Sequence, residues 1–158
     1  MPLYSKWDGL RLEITQYCKD NNISENDFRF LNIHQWENVY DRLLKEFVDD
    51  RYAAKNGLHW SNVEAGFRKD INRIYTFTEG DDAHYSYEWI EKLSDIVKCE
   101  KVYIFLLEEK QGSKYWIAEC KTDVIYRIMN YAIEPTDYYI TNKKFDWLIT
   151  ENHHDVVQ

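Results

Sequence analysis

Residues 102–107 read Val-Tyr-Ile-Phe-Leu-Leu, and this unbroken apolar hexamer decides the fold class of the 158-residue chain. An apolar run of this length is typical of a β-strand that is buried on both faces. The polar residues 108–114 follow and include Gly112, so we expect residues 115–120 to return as the antiparallel partner in a hairpin. The hexamer is therefore predicted to lie at the centre of a sheet.

A second hairpin is predicted near the C-terminus. Residues 137–141 and 145–150 are expected to pair across a turn at residues 142–144. The alternation requires a sheet partner, and its apolar members are Tyr138, Ile140, Phe145, Trp147 and Ile149. Strand parity places Phe145, Trp147 and Ile149 on one side and Leu148 on the other.

The first third of the chain predicts two helices. The first ends at the polar residues 19–22, and its apolar stripe consists of Leu10, Ile14, Tyr17 and Cys18. Asn32, with Gln35 three residues later, is the start signal of the second helix. The stripe of that helix consists of Trp36, Val39, Tyr40, Leu43, Leu44 and Phe47. Between the two, Ser24 and Asp27 predict a short helical turn around Phe28 and Leu31.

Two more helices are predicted further along the chain. One is entered near Asp82 or Ser86, and its stripe consists of Trp89, Ile90, Leu93, Ile96 and Val97. The other is capped by Thr122 and ends before Pro135, and its sheet-facing residues are Val124, Ile125, Ile128, Met129 and Ala132. Residues 51–80 mix strand-like and helix-like spacing, with an edge strand expected at residues 75–78.

These elements together predict a single α+β domain over residues 1–158. An antiparallel or mixed sheet of about four to six strands is expected to be covered by about four helices. No repeat or linker divides the chain, and 5 Gly and 2 Pro among 158 residues are too few for a low-complexity protein.

Composition excludes several classes of protein. The net charge is −8, and no cluster of Lys and Arg is longer than a pair, so we expect no nucleic-acid partner. The sequence holds no secretory signal and no apolar stretch that could span a membrane, which predicts a cytoplasmic protein without a membrane partner. The 3 cysteines are far apart, so neither a disulfide framework nor a CxxC motif is expected. The oligomeric state stays open.

Enzyme motifs are also missing from the sequence. It contains no Gly-rich phosphate loop, no GxSxG elbow and no HExxH, so we predict no catalytic residue and no cofactor. A metal or general-base role remains the alternative for the C-terminal segment with Glu151, His153, His154 and Asp155. Adjacent residues of a strand point to opposite faces, so this role needs further partners such as His34, His59 or His84.

Aromatic residues make up 16% of the chain, and this excess points to binding. Tyr and Trp combine apolar area with a polar tip and are enriched at protein interfaces. A surface for a basic protein partner is predicted where such rings lie beside acidic turns. Its candidate residues are Asp81, Asp82, Tyr85, Tyr87, Tyr138 and Tyr139.

Residues 137–157 resemble the ending of a family of small uncharacterised bacterial proteins. In that family a hairpin of the pattern YYI…K-x-F/Y-x-W-L…ENHHD closes an α+β domain, and this chain has Trp147-Leu148 and Glu151-Asn152-His153-His154-Asp155 in that pattern. The size, acidity and order of elements are also similar to those of immunity proteins of bacterial polymorphic toxin systems. The first resemblance implies the fold and a bacterial origin, and the second implies stoichiometric binding of a toxin.

Two functional hypotheses follow, and a small-ligand module with an aromatic pocket stays open beside them. The first is a non-enzymatic protein-binding domain with an immunity-like role. The second is a metal-binding protein or small enzyme that uses the segment from Glu151 to Asp155.

Overall fold

Five antiparallel strands form one sheet in the residues that the computed structural model describes, which are 9–49, 101–108, 114–131 and 138–151. The strands are β1 (Phe28–Phe30), β2 (Lys101–Glu108), β3 (Lys114–Lys121), β4 (Tyr138–Asn142) and β5 (Leu148–Glu151). The helices of this part are α1 (Gly9–Asp20), α2 (Ile33–Phe47) and α3 (Thr122–Tyr131). The spatial order is β1-β3-β2-β4-β5, which confirms the α+β class and the central position of β2.

Both faces of β2 are covered, as its apolar sequence predicts. Val102, Ile104 and Leu106 face one hydrophobic core, and Phe105 faces a second core on the opposite side of the sheet. Phe105 pairs with Ile117 of β3 and with Tyr139 of β4. The hairpin between β2 and β3 is confirmed along the full length of both strands.

The helices divide between the two faces. In the first core, Ile14 of α1 packs with four residues of α3, which are Val124, Ile125, Ile128 and Met129. In the second core, Leu43 and Phe47 of α2 pack on the other face. The described part of the chain is therefore a three-layer sandwich with the sheet in the middle.

The start of α2 follows the predicted capping logic. The side-chain oxygen of Asn32 accepts a hydrogen bond from the Gln35 amide at 3.0 Å. The Gln35 side chain accepts in return from the Asn32 amide at 3.4 Å. This reciprocal pair satisfies two amides that the first turn of a helix leaves without helical partners.

The helical turn predicted around Phe28 and Leu31 is wrong. The amides of Asp27 and Phe28 bond to the Ser24 carbonyl in a turn, and the chain then becomes extended as β1. Pairing with β3 places Phe28 in the first core. Burial against the sheet thus outweighs the local capping signal of Ser24 and Asp27.

The second hairpin is confirmed, but the predicted side of Phe145 is wrong. Residues 143–147 connect β4 and β5, and Phe145 has φ 59°, in the left-handed region. The connection turns Phe145 into the second core, whereas Trp147 and Ile149 pack at the first. Leu148 lies opposite Trp147 and Ile149, as the strand parity predicts, so the alternation holds from Trp147 onward and fails only at Phe145.

Several predictions fall on residues outside the described ranges. They concern residues 51–80, the predicted helix with Trp89 and Leu93, and the predicted sheet-facing residue Ala132. The single-domain assignment stays a prediction. Among the helices that the structure describes, none is long and apolar enough to cross a membrane.

Candidate binding surfaces

Two of the predicted surface rings are core residues. Tyr138 is 0% exposed in the first core, and Tyr139 is 4% exposed in the second. Both lie on β4, which is flanked by strands on each side and covered by helices on both faces. Their prediction as exposed anchors is therefore corrected, because a ring buried in this way contributes to stability and cannot contact a partner.

The other predicted site residues lie almost entirely outside the described ranges. This applies to Asp81, Asp82, Tyr85, Tyr87, His153, His154 and Asp155, while Glu151 is the last residue of β5. Within the described ranges, no group of three or more His, Cys, Asp or Glu residues could hold a metal ion. His34 is exposed at the start of α2.

Cys120 is buried in the first core. Cys18 is half-buried on α1. Its burial raises the pKa of the thiol, and the charge of Arg127 opposes that rise without cancelling it. Cys18 is therefore kept in the protonated, weakly nucleophilic form.

An exposed flank of α2 combines apolar, aromatic and acidic side chains. We call Ile33, Trp36, Glu37, Tyr40 and Asp41 the α2 flank. Their spacing of three and four residues places them on adjacent rows of one side of the helix. Ile33 is 69% exposed, which is unusual for a large apolar side chain.

The rings of the α2 flank are fixed by packing. Trp36 and Tyr40 stack with their centroids 4.9 Å apart and an interplanar angle of 10°. Both are half-buried against the second core, next to the buried stripe of Leu43 and Phe47. Part of each ring is thus anchored in the core while part remains accessible, which limits the entropy that a contact would cost.

The α2 flank carries two acidic side chains. Glu37 and Asp41 are exposed one turn apart, beside Ile33 and Tyr40. Aromatic rings therefore lie beside carboxylates on the α2 flank, whose residues were not among the sequence-based candidates.

A second surface is centred on one carboxylate, that of Glu119 on β3. We call Glu119, Arg29, Lys101 and Lys143 the Glu119 cluster. The Glu119 carboxylate lies 3.1 Å from Lys143, 3.5 Å from Arg29 and 3.6 Å from Lys101. Three cations therefore share one anion, and they come from β1, β2 and the turn after β4.

Sheet register produces the Glu119 cluster. Arg29 of β1 and Tyr103 of β2 are the direct neighbours of Glu119 across the strands. Lys101 lies two residues before Tyr103, so its side chain is on the same face. The turn at residues 143–144 brings in Lys143.

The cations control the charge of Glu119. Burial alone would raise the pKa of its carboxyl group, but the hydrogen bond from Lys143 and the charges of Lys143, Lys101 and Arg29 outweigh burial. The net result is a pKa below the ordinary value of a glutamate, so Glu119 is ionised at neutral pH.

Aromatic rings and polar side chains hold the surrounding cations in place. The Lys143 ammonium lies 5.8 Å from the centroid of Tyr103, and the Arg42 guanidinium lies 4.7 Å from that of Phe145. Lys101 donates to Asn26 at 3.1 Å. Arg29 donates to Gln35 at 3.2 Å.

Sequence reasoning missed both surfaces for different reasons. The α2 flank could have been found, because Ile33 is an apolar residue at the start of a helix whose buried stripe was predicted. The Glu119 cluster could not, since it needs the register of β1, β3 and β2. A search for runs of Lys and Arg finds only pairs, because the fold gathers single cations from distant segments.

Comparison with known proteins gives one match. The model of a family of unknown function, DUF6756, matches residues 6–158. No curated protein and no solved structure matches the chain.

Proposed function

This chain belongs to DUF6756, a family of unknown function, and we propose that it acts by binding another protein, without catalysis. The immunity-like form of this proposal is stoichiometric capture of a toxin. The observation that carries it is the α2 flank, where 69% exposed Ile33 lies beside the stacked rings of Trp36 and Tyr40.

The composition of the α2 flank supports a protein contact. Trp and Tyr are enriched among the residues that dominate binding energy, and they act best where packing fixes them before binding. Trp36 and Tyr40 meet this condition through their stack and their contact with the second core. Ile33 adds exposed apolar area at the same place.

The charge of the chain favours a basic partner. The net charge is −8, and Glu37 and Asp41 place acid within the proposed contact surface. A protein of this charge accelerates its encounter with a basic protein, while the apolar and aromatic contacts hold the complex. Asp81, Asp82, Tyr85 and Tyr87 remain further candidates for contact with a basic partner, on the sequence alone.

Genetic co-expression tests the function. Each product of the genes adjacent to this one is expressed alone and together with the chain, and growth is measured. We expect one adjacent product to be toxic, the chain to restore growth, and the two proteins to co-purify in a 1:1 complex. Absence of any toxic or co-purifying neighbour product would contradict the proposal.

Two variants locate the surface. Ile33→Ser removes the exposed apolar group of the α2 flank, and Leu12→Ser makes a similar change at the 37% exposed Leu12 of α1. We expect Ile33→Ser to lose the rescue of growth and Leu12→Ser to keep it. Equal rescue by the two variants would exclude the α2 flank as the contact surface.

The alternative is a metal-binding protein or small enzyme that uses Glu151, His153, His154 and Asp155. Zinc titration calorimetry on chelator-free protein distinguishes it. Submicromolar binding that is lost in both His153→Ala and His154→Ala would support the alternative. Under the protein-binding proposal, no such binding is expected.

A further inference from the structure

We propose that the Glu119 cluster is a second docking site, which takes an acidic segment of a protein. The site is built from β1, β2, β3 and the turn after β4, so the inference does not depend on the α2 flank. The α2 flank would bind basic groups, whereas the Glu119 cluster would bind carboxylates.

The first argument is the local excess of positive charge. Arg29, Lys101 and Lys143 carry three positive charges around the single negative charge of Glu119, within a chain of net charge −8. Only the contact with Lys143, at 3.1 Å, is short enough for a hydrogen bond of good geometry. The cations are therefore incompletely neutralised by Glu119.

The second argument is accessibility. The Glu119 side chain is 14% exposed, whereas that of Lys143 is 47% exposed. Arg29 and Lys101 are also more exposed than Glu119. An approaching carboxylate would therefore meet the cations before it meets Glu119.

The third argument is preorganisation. Lys143 lies over the Tyr103 ring, Lys101 donates to Asn26, and Arg29 donates to Gln35. Long cationic side chains lose much of their freedom on binding, and here these contacts have already restricted it. The cluster also already holds one carboxylate, so its geometry suits this group.

The fourth argument separates an acidic protein segment from a nucleic acid. A polyanionic backbone would extend beyond the cluster and meet the acidic remainder of the chain, which repels it. A short acidic segment places two or three carboxylates at the cluster and avoids that repulsion. Carboxylates of a protein are therefore the favoured occupant.

Fluorescence anisotropy with a labelled hexaglutamate peptide tests the proposal. Binding is measured at low salt and at about 0.15 M salt, where the screening length is about 8 Å. Lys143→Gln should weaken binding about fivefold or more, the size of one lost charge-assisted contact. Lys19→Gln makes the same charge change on an exposed residue of α1 and should leave binding within about twofold.

A variant of Glu119 is expected to change the affinity for the peptide in the opposite direction. Glu119→Gln removes the competing carboxylate, so peptide binding should tighten. Circular dichroism checks that this variant is folded, and Lys143→Gln decides the outcome if it is not. A purely structural role of the cluster predicts no peptide binding at low salt.

Three results would overturn the proposal. The first is no detectable peptide binding at low salt. The second is an equal loss of binding in Lys143→Gln and Lys19→Gln, which would show non-specific attraction. The third is tighter binding of inorganic phosphate or of an oligothymidylate than of the peptide, which would assign the site to phosphate groups.

Discussion

Thr141 and Thr150 lie on adjacent strands and are both buried, but their hydroxyl groups differ in one respect. The Thr141 hydroxyl donates to the Trp147 carbonyl at 2.8 Å, which ties β4 to the connection before β5. The Thr150 hydroxyl has no hydrogen-bond partner among the residues that the structure describes. Burial of a hydroxyl without a hydrogen-bond partner lowers the stability of the folded protein. A hydrogen bond offsets this cost.

Replacing each threonine by valine therefore has different expected effects. Thr150→Val should leave the free energy of unfolding unchanged or raise it by up to about 1 kcal/mol. Thr141→Val should lower it by about 1–2 kcal/mol, because the Trp147 carbonyl loses its donor. Urea denaturation of both variants measures the difference. Equal destabilisation would show that the Thr150 hydroxyl is bonded in solution.

Glu119 makes stability depend on pH. Its pKa is lower in the folded protein than in the unfolded chain, because the hydrogen bond from Lys143 and the three cations outweigh the effect of burial. The stabilisation is therefore fully present above the ordinary pKa of a glutamate, roughly 4.3, and is lost as pH falls through the lower folded value.

The comparison of wild type with Glu119→Gln isolates this effect. At neutral pH the variant should be less stable by roughly 1 kcal/mol, which is the upper end of the range that exposed ion pairs contribute to stability. The difference should shrink in acid as wild-type Glu119 becomes protonated. Thermal midpoints of both proteins, measured from about pH 3 to about pH 7, give the test. A constant difference would contradict the role of the charge.

The cap at Asn32 is expected to stabilise α2. Asn32→Ala removes the side-chain oxygen that accepts from the Gln35 amide, and it should lower the free energy of unfolding by about 1 kcal/mol. Asn38→Ala is the matched control, since Asn38 is exposed within α2 and alanine is the better helix former. A denaturation midpoint that is lower for Asn38→Ala than for Asn32→Ala would contradict the capping role.

Elements with a strong periodic pattern could be predicted from the sequence. The strand at residues 102–107 and its hairpin partner were predicted from such a pattern, and so were α1, α2 and α3. Their burial dominates the free energy, so local pattern and final structure agree.

Elements decided by distant contacts could not be predicted. β1 has only three residues, and its extended form depends on pairing with β3, which begins 84 residues after β1 ends. The left-handed conformation of Phe145 likewise has no signal in a phenylalanine, which rarely adopts it. That conformation reverses the expected side of Phe145 and places it beneath Arg42.

At the scale of the whole molecule, charge is distributed unevenly. The chain is acidic overall, yet the fold gathers three cations at the Glu119 cluster and leaves acid at the α2 flank. The two surfaces would meet groups of opposite charge. A single partner with both kinds of group could be held in one orientation, because reversal would place like charges together.

Electrostatic attraction of the partner by the net charge should appear in the association rate constant. For the partner identified by co-expression, the association rate constant should fall as salt screens the attraction, and the dissociation rate constant should change much less. Stopped-flow measurements across a salt series give both constants. An association rate that does not depend on salt would contradict a basic partner.

Binding through the α2 flank is tested most directly by the dissociation rate constant of that complex, measured for wild type, Ile33→Ser and Leu12→Ser. Interface anchors act mainly on dissociation. Ile33→Ser should therefore dissociate about tenfold faster, equivalent to about 1.4 kcal/mol, while Leu12→Ser should match wild type. Equal dissociation rates for all three proteins, or equal acceleration in both variants, would contradict the assignment of this surface.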